Sequence, residues 1–338
     1  MKIVLDAFGG DNAPLEILKG AAMAVQELGV DILLTGDRDK IEKCAEENGI
    51  SLERMEILHT PDILTMHDEP GEVIKSKSDS SLALGLKALA EDKGDAFVSA
   101  GSTGAVVVGA TFIVKRIKGV KRAALASFIP SKTGHFLLLD IGANAECRPE
   151  MLVQFAVMGS VYMNRVQGLE NPTVGLLNIG AEETKGGELQ RQAYALLQHA
   201  PVNFIGNAEA RDIPAGFCDI VVTDGFTGNV VLKLTEGVAG TMFGMVKEIF
   251  MSGLKSKIAA GLVMPGLRGL KSKMDYATIG GAPLLGIQKP VIKAHGSSNA
   301  LAIKNAVRQA KLAVEGDMIG SISEDLRKIA GEKSGGPA

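Results

Sequence analysis

Tryptophan is absent from the 338 residues, and aromatic side chains of all kinds make up only 4%. So few large rings argue against a sandwich held by aromatic packing, and 41 glycines favour an α/β chain with tight strand-to-helix turns. Strong charge of either sign is also lacking. With 36 basic and 39 acidic residues the net charge is −3, without the basic excess that nucleic acid as a main partner requires. Cysteine is scarce: Cys44, Cys147 and Cys218 match no zinc spacing and are odd in number, which fits a reducing cytosol. No apolar run approaches the roughly 18 residues of a membrane span, and the longest candidate, AVVVGATFIV from Ala105 to Val114, is too short. The opening MKIVLDAFGG does not read as a signal peptide, because its apolar run stops at Asp6. The expectation is a soluble, cytoplasmic protein, and 46% apolar residues are ample for a sizeable core.

Common chemical signatures are missing as well. DAFGGDNAP is not a dinucleotide fingerprint, and no G-x-x-x-x-G-K-[ST], H-E-x-x-H or G-x-S-x-G motif occurs. His59, His67, His135, His199 and His295 are far apart, and there is no Cys/His cluster, so neither a metal nor another cofactor is expected.

What is present is one recurring pattern: a short β-branched run, a polar Gly-rich turn, then a helical period. It appears in KIVLDAFGGDNAP at the start, DILLTGD at Asp31, DAFVSAGSTGA at Asp95, FLLLDIGANAE at Phe136, VGLLNIGAEETKGG at Val174 and DIVVTDGFTGN at Asp219. Helical periods follow Pro14 and Ser81. Continuous apolar strands alternating with helices predict a mostly parallel sheet buried on both faces. Residues 1–330 are expected to form a single domain, 60–80 an irregular excursion broken by Pro61 and Pro70, and 331–338 a disordered tail. Turns that follow parallel strands lie on one edge, so the polar Gly motifs are expected to gather on one rim.

Those turns suit an anion, because they present free backbone N–H groups at helix starts. In SAGSTGA, Ser102 and Thr103 either cap a helix or bond a ligand oxygen, while Gly104 permits close approach. In DGFTGN, Thr227 and Asn229 carry the same two readings. Lys185 in GAEETKGGE is either a phosphate clamp or a solvated surface lysine, and Glu182 and Glu183 read as helix-start acids. Cys147, beside Arg148, is either a thiol of lowered pKa or a small buried residue. In HGSSN, one of Ser297, Ser298 and Asn299 must cap the helix whose apolar period runs through Ile303, Val307, Ala310 and Val314.

Taken in order, DAFGGDNAP, KSDSSL, SAGSTGA, LLDIGANAECRPE, QFAVMGS, LLNIGAEETKG, NFIGNAEARDIP, DGFTGNVVLK, GGAPLLG and IKAHGSSNALAIKNA resemble the bacterial phosphate acyltransferases of the PlsX type from Met1 to about Lys311. Phe8 stands where that family usually has Met, Ser102 where it usually has Asn, and IKSKSDSS is less basic than usual. The resemblance implies an α/β/α fold of the isopropylmalate dehydrogenase and phosphotransacetylase group, and a homodimer. It also implies transfer of an acyl group from acyl carrier protein to inorganic phosphate. The acyl phosphate would feed phosphatidic acid and phospholipid synthesis through a downstream glycerol-3-phosphate acyltransferase.

Phosphate is already an anionic nucleophile and a thiolate, of pKa ~8.5, is a fair leaving group, so such a site calls for donors and cations rather than a carboxylate dyad. On this reading Ser102, Thr103, Gly104, Ser297 and Ser298 bind phosphate. Lys185 is its counter-charge, and Asn229 and His295 donate to the carbonyl oxyanion or the leaving sulfur. The competing functions are a phosphotransacetylase using acyl-CoA, a dehydrogenase on the related fold, and a membrane-bound scaffold.

Residues 251–275, MSGLKSKIAAGLVMPGLRGLKSKMD, form a basic and apolar island that Pro265-Gly266 is expected to break into two helical arms. Leu262, Val263, Met264, Leu267, Lys271 and Lys273 fit contact with an anionic membrane surface, which the resemblance also implies. A docking patch for acidic carrier protein and a dimer contact fit the same charges.

Overall fold

Strands such as KIVLD and AFVS are almost wholly buried, as continuous apolar runs in a sheet covered on both faces should be. The structure is a computed structural model describing residues 1–329, except 254, 258, 262, 265 and 267–279. In its first half the elements are β1 (Lys2–Asp6), α1 (Leu15–Leu28), β2 (Asp31–Gly36), α2 (Arg38–Asn48), β3 (Met55–His59), α3 (Ser81–Ala90), β4 (Ala96–Ser99), α4 (Thr103–Gly109), β5 (Ala124–Ser131), β6 (Gly134–Leu139) and α5 (Pro149–Arg165). There follow β7 (Thr173–Asn178), α6 (Glu188–Leu197), β8 (Asn203–Glu209), β9 (Ile220–Val222), α7 (Gly225–Met251), β10 (Ala282–Leu285), β11 (Val291–Lys293), α8 (Ala300–Glu315) and α9 (Met318–Ile329).

One sheet runs through all the strands in the order β3-β2-β1-β4-β11-β10-β5-β6-β9-β7-β8. It consists of two parallel blocks, β3-β2-β1-β4-β11 and β6-β9-β7-β8. The strands between them, β10 and β5, pair antiparallel with each other and with their outer neighbours. On the first block α1 and α8 share one apolar layer, in which Ile17, Leu18 and Ala21 meet Ile303, Ala306 and Val307. Helix α3 packs on the opposite face through Leu82, Leu86 and Leu89. Helices α5 and α9 cover the second block through Phe155, Tyr162, Ile322 and Leu326.

This topology corrects the expectation of a single rim. Three antiparallel pairings in succession reverse the strand direction, so the two blocks run in opposite senses. The register decides where their carboxyl ends meet. Strand β10 pairs Ala282 with Lys293, the last residue of β11, and pairs Leu284 with Leu125 of β5. Ala126, next in β5, pairs with Leu139, the last residue of β6. Both blocks therefore end near one level of the sheet, at the β10–β5 junction, and extend away from it. The turns most relevant to binding come from two edges that approach each other there, helped by the twist that accumulates at roughly 20–25° per strand.

Segment 60–80 is largely irregular with one 3-10 turn at Pro70–Ile74. Beyond α7, described residues between 255 and 266 are helical. Of the residues expected at a membrane, Val263 and Met264 are exposed, whereas Leu262, Leu267, Lys271 and Lys273 lie outside the described residues. Pro265, at the expected break, and the tail 331–338 also lie outside them.

Candidate functional site

At the β10–β5 junction lies a cavity of about 520 Å³. The first block contributes Asp11 after β1, Thr103 and Gly104 after β4, and Lys293 to Gly296 at the end of β11. The second contributes Ile141 and Gly142 after β6, and Asn229, Leu232, Lys233 and Glu236 from α7. Leu125, Ser127 and Phe128 of β5 form part of the wall.

The second-block edge is built on Asp140. This buried residue directly follows β6, and its carboxylate accepts backbone N–H bonds from Leu125 (3.0 Å), Gly142 (3.3 Å), Ala143 (3.1 Å) and Asn144 (2.7 Å). The Asn144 side-chain amide donates to it as well, at 2.8 Å. Burial nevertheless pushes the Asp140 pKa up, with those donors opposing the shift. Helix α7 seats its first turn on this locked turn through glycine. A Cβ at Gly228 would stand 1.9 Å from the Asp140 carbonyl oxygen, and one at Gly225 2.5 Å from that of Asn144. Asp224 caps the helix by accepting from the Thr227 amide and hydroxyl, both at 2.8 Å. Thr227 is thus a donor to the cap rather than the cap itself, and Asn229 stands at the cavity, against Gly142.

The first-block edge is stitched differently. Ser99, ending β4, donates its hydroxyl to buried Asp6, ending β1, at 2.7 Å and accepts the Gly101 amide at 3.0 Å. Asp6 also accepts the Phe8 amide at 3.2 Å, and its pKa is raised by burial. The turns after β1 and β11 are joined by Asp11 N–H to the Gly296 carbonyl at 2.8 Å. Gly10 has φ +97°, and a Cβ there would come within 2.8 Å of that same carbonyl. Asn12 donates to the carbonyls of Ser297 and Ser298, each at 3.2 Å.

This scaffold holds His295. Its Nδ1 accepts the Ser297 N–H at 3.2 Å and lies 2.8 Å from the Ser297 hydroxyl. An accepting Nδ1 leaves the ring proton on Nε2 in the neutral form. Burial lowers the pKa of His295, and Lys293 lowers it further. The imidazole is therefore a neutral Nε2–H donor at pH 7. Asn299, one of the three candidates, caps α8 by accepting the Ala302 N–H at 3.0 Å. The buried Ser298 hydroxyl has no hydrogen-bond partner among the described residues.

Of the residues expected from sequence, the fold brings Thr103, Gly104, Asn229 and His295 together in the cavity lining. Ser297 stands behind His295, and Ser298 follows it without lining the cavity. Ser102 occupies the cap position of α4, but its side chain caps nothing and does not line the cavity. Lys185 is apart from the lining: it follows β7, two strands beyond β6, and its half-exposed ammonium lies 4.0 Å from Glu182. Cys147 has no lowered pKa; burial, then Asp140, push it up to about 11.

Sequence reading missed Lys293, Asp6, Asp140 and Asp224. A signal existed for three of them: Asp6, Asp140 and Lys293 are charged residues ending or immediately following apolar strand runs. Lys293 is 7% exposed, pairs through its strand with Ser99 on one side and Ala282 on the other, and donates from Nζ to the Ala294 carbonyl. Burial lowers its pKa to about 8; Asp11 opposes the shift and Lys233 adds to it.

Residues 1–320 match the family model described as fatty acid synthesis protein. A phosphate acyltransferase of Lysinibacillus sphaericus is 49% identical over 331 residues, covering 97% of this chain and 99% of that one. A phosphate acyltransferase of Clostridioides difficile is 47% identical over 97% of each. The chain belongs to the phosphate acyltransferase family. It is accordingly an acyltransferase enzyme. Among solved structures, a phosphotransacetylase from Streptococcus pyogenes superposes with TM-score 0.64 at 18% identity, covering 93% of this chain and 94% of that one. The EutD phosphotransacetylase from Staphylococcus aureus gives TM-score 0.63 at 17% identity over the same shares. These likenesses show the shared α/β fold with its mostly parallel sheet.

Proposed function

We propose that the chain transfers a fatty acyl group from the thioester of acyl carrier protein to inorganic phosphate. The observation that carries this reading is the makeup of the cavity. It combines a buried ammonium, a neutral imidazole donor and an amide with the apolar side chains of Leu125, Phe128, Ile141 and Leu232. The polar groups suit an anion and a developing oxyanion, and the apolar ones suit an acyl chain. A phosphate oxygen attacks the thioester carbonyl carbon, the C–O bond forms, and the C–S bond breaks with its electron pair left on sulfur. The phosphate hydroxyl proton ends on the thiol, so the products are acyl phosphate and the free carrier.

In this reaction Thr103 and Gly104 bind phosphate, and the turns bearing Ser102, Ser297 and Ser298 shape that subsite. Ser297 acts through His295, whose Nε2–H, with the Asn229 amide, donates to the oxyanion or the leaving sulfur. Lys185 supplies positive charge at the outer rim. The acyl phosphate is the activated donor for phosphatidic acid and phospholipid synthesis, taken up by a glycerol-3-phosphate acyltransferase.

The purified protein should release thiol from acyl carrier protein thioesters only when phosphate is present, at least about tenfold faster than from the matching acyl-CoA. Equal or greater turnover of acyl-CoA would move the assignment to a phosphotransacetylase, and phosphate-independent release would end it.

Two assembly features belong to the same reading. Phe226, Val230, Leu234, Val238, Met242, Met245 and Ile249 are exposed along one face of α7, at spacings of four and three. A second copy of the chain covers this stripe in a homodimer, and Leu234→Glu should yield monomers in light scattering. The exposed Val263 and Met264 contact an anionic membrane surface, giving a cytoplasmic enzyme peripherally held at the inner membrane. Substituting both by Asp should abolish flotation with anionic vesicles and leave soluble turnover intact.

A further inference from the structure

We infer that the Lys293 ammonium is the catalytic cation that holds the anionic acceptor at the reacting centre. This rests on the proposed acyl transfer to phosphate and adds to it the group that neutralises the nucleophile.

Two lysines line the cavity among the described residues, and they differ in kind. Lys233 is exposed on α7 and forms an ion pair with Glu236 at 2.8 Å, so water and a carboxylate already answer its charge. Lys293 is 7% exposed, and no carboxylate of a described residue lies within ion-pair distance of it. The Ala294 carbonyl accepts one of its three N–H bonds. A buried ammonium without an ion-pair partner costs stability, and a packed core would be better served by an apolar side chain. The cost is understandable where an anion completes the site.

Position supports the same role. Lys293 lies in a strand paired on both sides, so its backbone is fixed between Ser99 and Ala282. The side chain opens to the cavity shared with Thr103, Gly104, Asn229 and His295. A cation so placed is preorganised, and its attraction for an anion is little screened. Charged and titratable groups facing it are Asp11 after β1, Lys233 and Glu236 on α7, and His295 next along its own chain.

A dependence on pH follows. With the free lysine pKa lowered to about 8, the ammonium is mostly protonated at pH 7 and loses its proton as pH rises through that value. Inorganic phosphate is already dianionic there, so the falling affinity above about pH 8 belongs to the protein. Bound phosphate should in turn raise the lysine pKa.

The test uses the full-length protein, with phosphate affinity measured by calorimetry without acyl donor, and with steady-state kinetics. Lys293→Met should lower kcat/KM for phosphate by about 100-fold or more and weaken phosphate binding comparably, with KM for the acyl donor within about threefold. Lys293→Arg should keep more activity and move the alkaline limb upward, because guanidinium stays charged. A folded Lys293→Met protein, verified by circular dichroism, that binds and uses phosphate within about threefold of wild type overturns the inference. If that variant does not fold, the wild-type binding profile decides. Affinity falling above about pH 8 supports the assignment, and affinity flat from about pH 8 to 9.5 refutes it. Binding is read without acyl donor, so failure of the acyl-transfer reading itself appears separately, as wild-type phosphate binding without turnover.

Discussion

The two edges that meet at the cavity use the same device in different ways. Each places a buried aspartate at the end of a strand, Asp6 at the end of β1 and Asp140 just past β6. Asp140 gathers backbone N–H groups from both sides of one turn and from β5, so it sets the path of the main chain. Asp6 is held by the Ser81 and Ser99 hydroxyls as well as the amides of Phe8 and Gly9, and Ser99 then holds Gly101, so part of its hold on the loop passes through side-chain hydroxyls. Backbone donors cannot rotate away, whereas a hydroxyl can turn to another acceptor. The second edge is thus expected to tolerate change less than the first.

Removing Asp140 is the strongest way to break that contrast. Asp140→Ala strands several backbone N–H groups at once and should cost about 3 kcal/mol or more in urea denaturation, with loss of turnover. Gly228→Ala comes next, because its Cβ would stand 1.9 Å from the Asp140 carbonyl. The first turn of α7 must shift, carrying Asn229 with it. A stability loss of about 1–3 kcal/mol and a fall in kcat larger than any rise in KM are expected. Lys185→Ala probes the second edge away from the junction. At a half-exposed site it should lower kcat/KM by only about threefold, an effect that fades in high salt.

The smallest effect sharpens the first edge. Burial raises the Asp6 pKa above its unfolded value, so ionised Asp6 costs stability above its folded-state pKa. That cost disappears as pH falls below the unfolded value of about 4. Asp6→Asn lacks this titration. Urea unfolding should therefore show wild type gaining stability relative to the variant between pH 7 and pH 4. A difference independent of pH would show that Asp6 is not strained by burial.

Much was legible before the structure. Apolar strands followed by Gly turns identified the α/β class, because a strand buried on both faces has no polar face to display. The helix cap in HGSSN was narrowed to three residues, and Asn299 is among them. Thr103, Gly104, Asn229 and His295 were named because they stand in polar, glycine-rich turns after strand runs and in motifs that carry the resemblance, although Thr and Asn there had helix capping as a second reading. Lys293 was not named: its charge at the end of an apolar run was a signal, but its burial depends on packing that includes the distant strand bearing Ser99 as well as nearby Ala282. Lys185 was named because it sits in a glycine-rich turn, but the strand order puts that turn two strands outside β6.

The sequence by itself determined the local elements, since period, capping and glycine placement act over a few residues. It also carried the family, through many motifs in a set order. Only the tertiary structure decided that two opposed edges share one cavity. Strand direction depends on which strands pair: β10–β11 and β5–β6 join consecutive strands, but the β10–β5 pairing that links the two blocks sets Leu284 against distant Leu125. Packing likewise decided which lysine is buried, because burial is a property of the whole packed chain and not of the residue's neighbours in sequence.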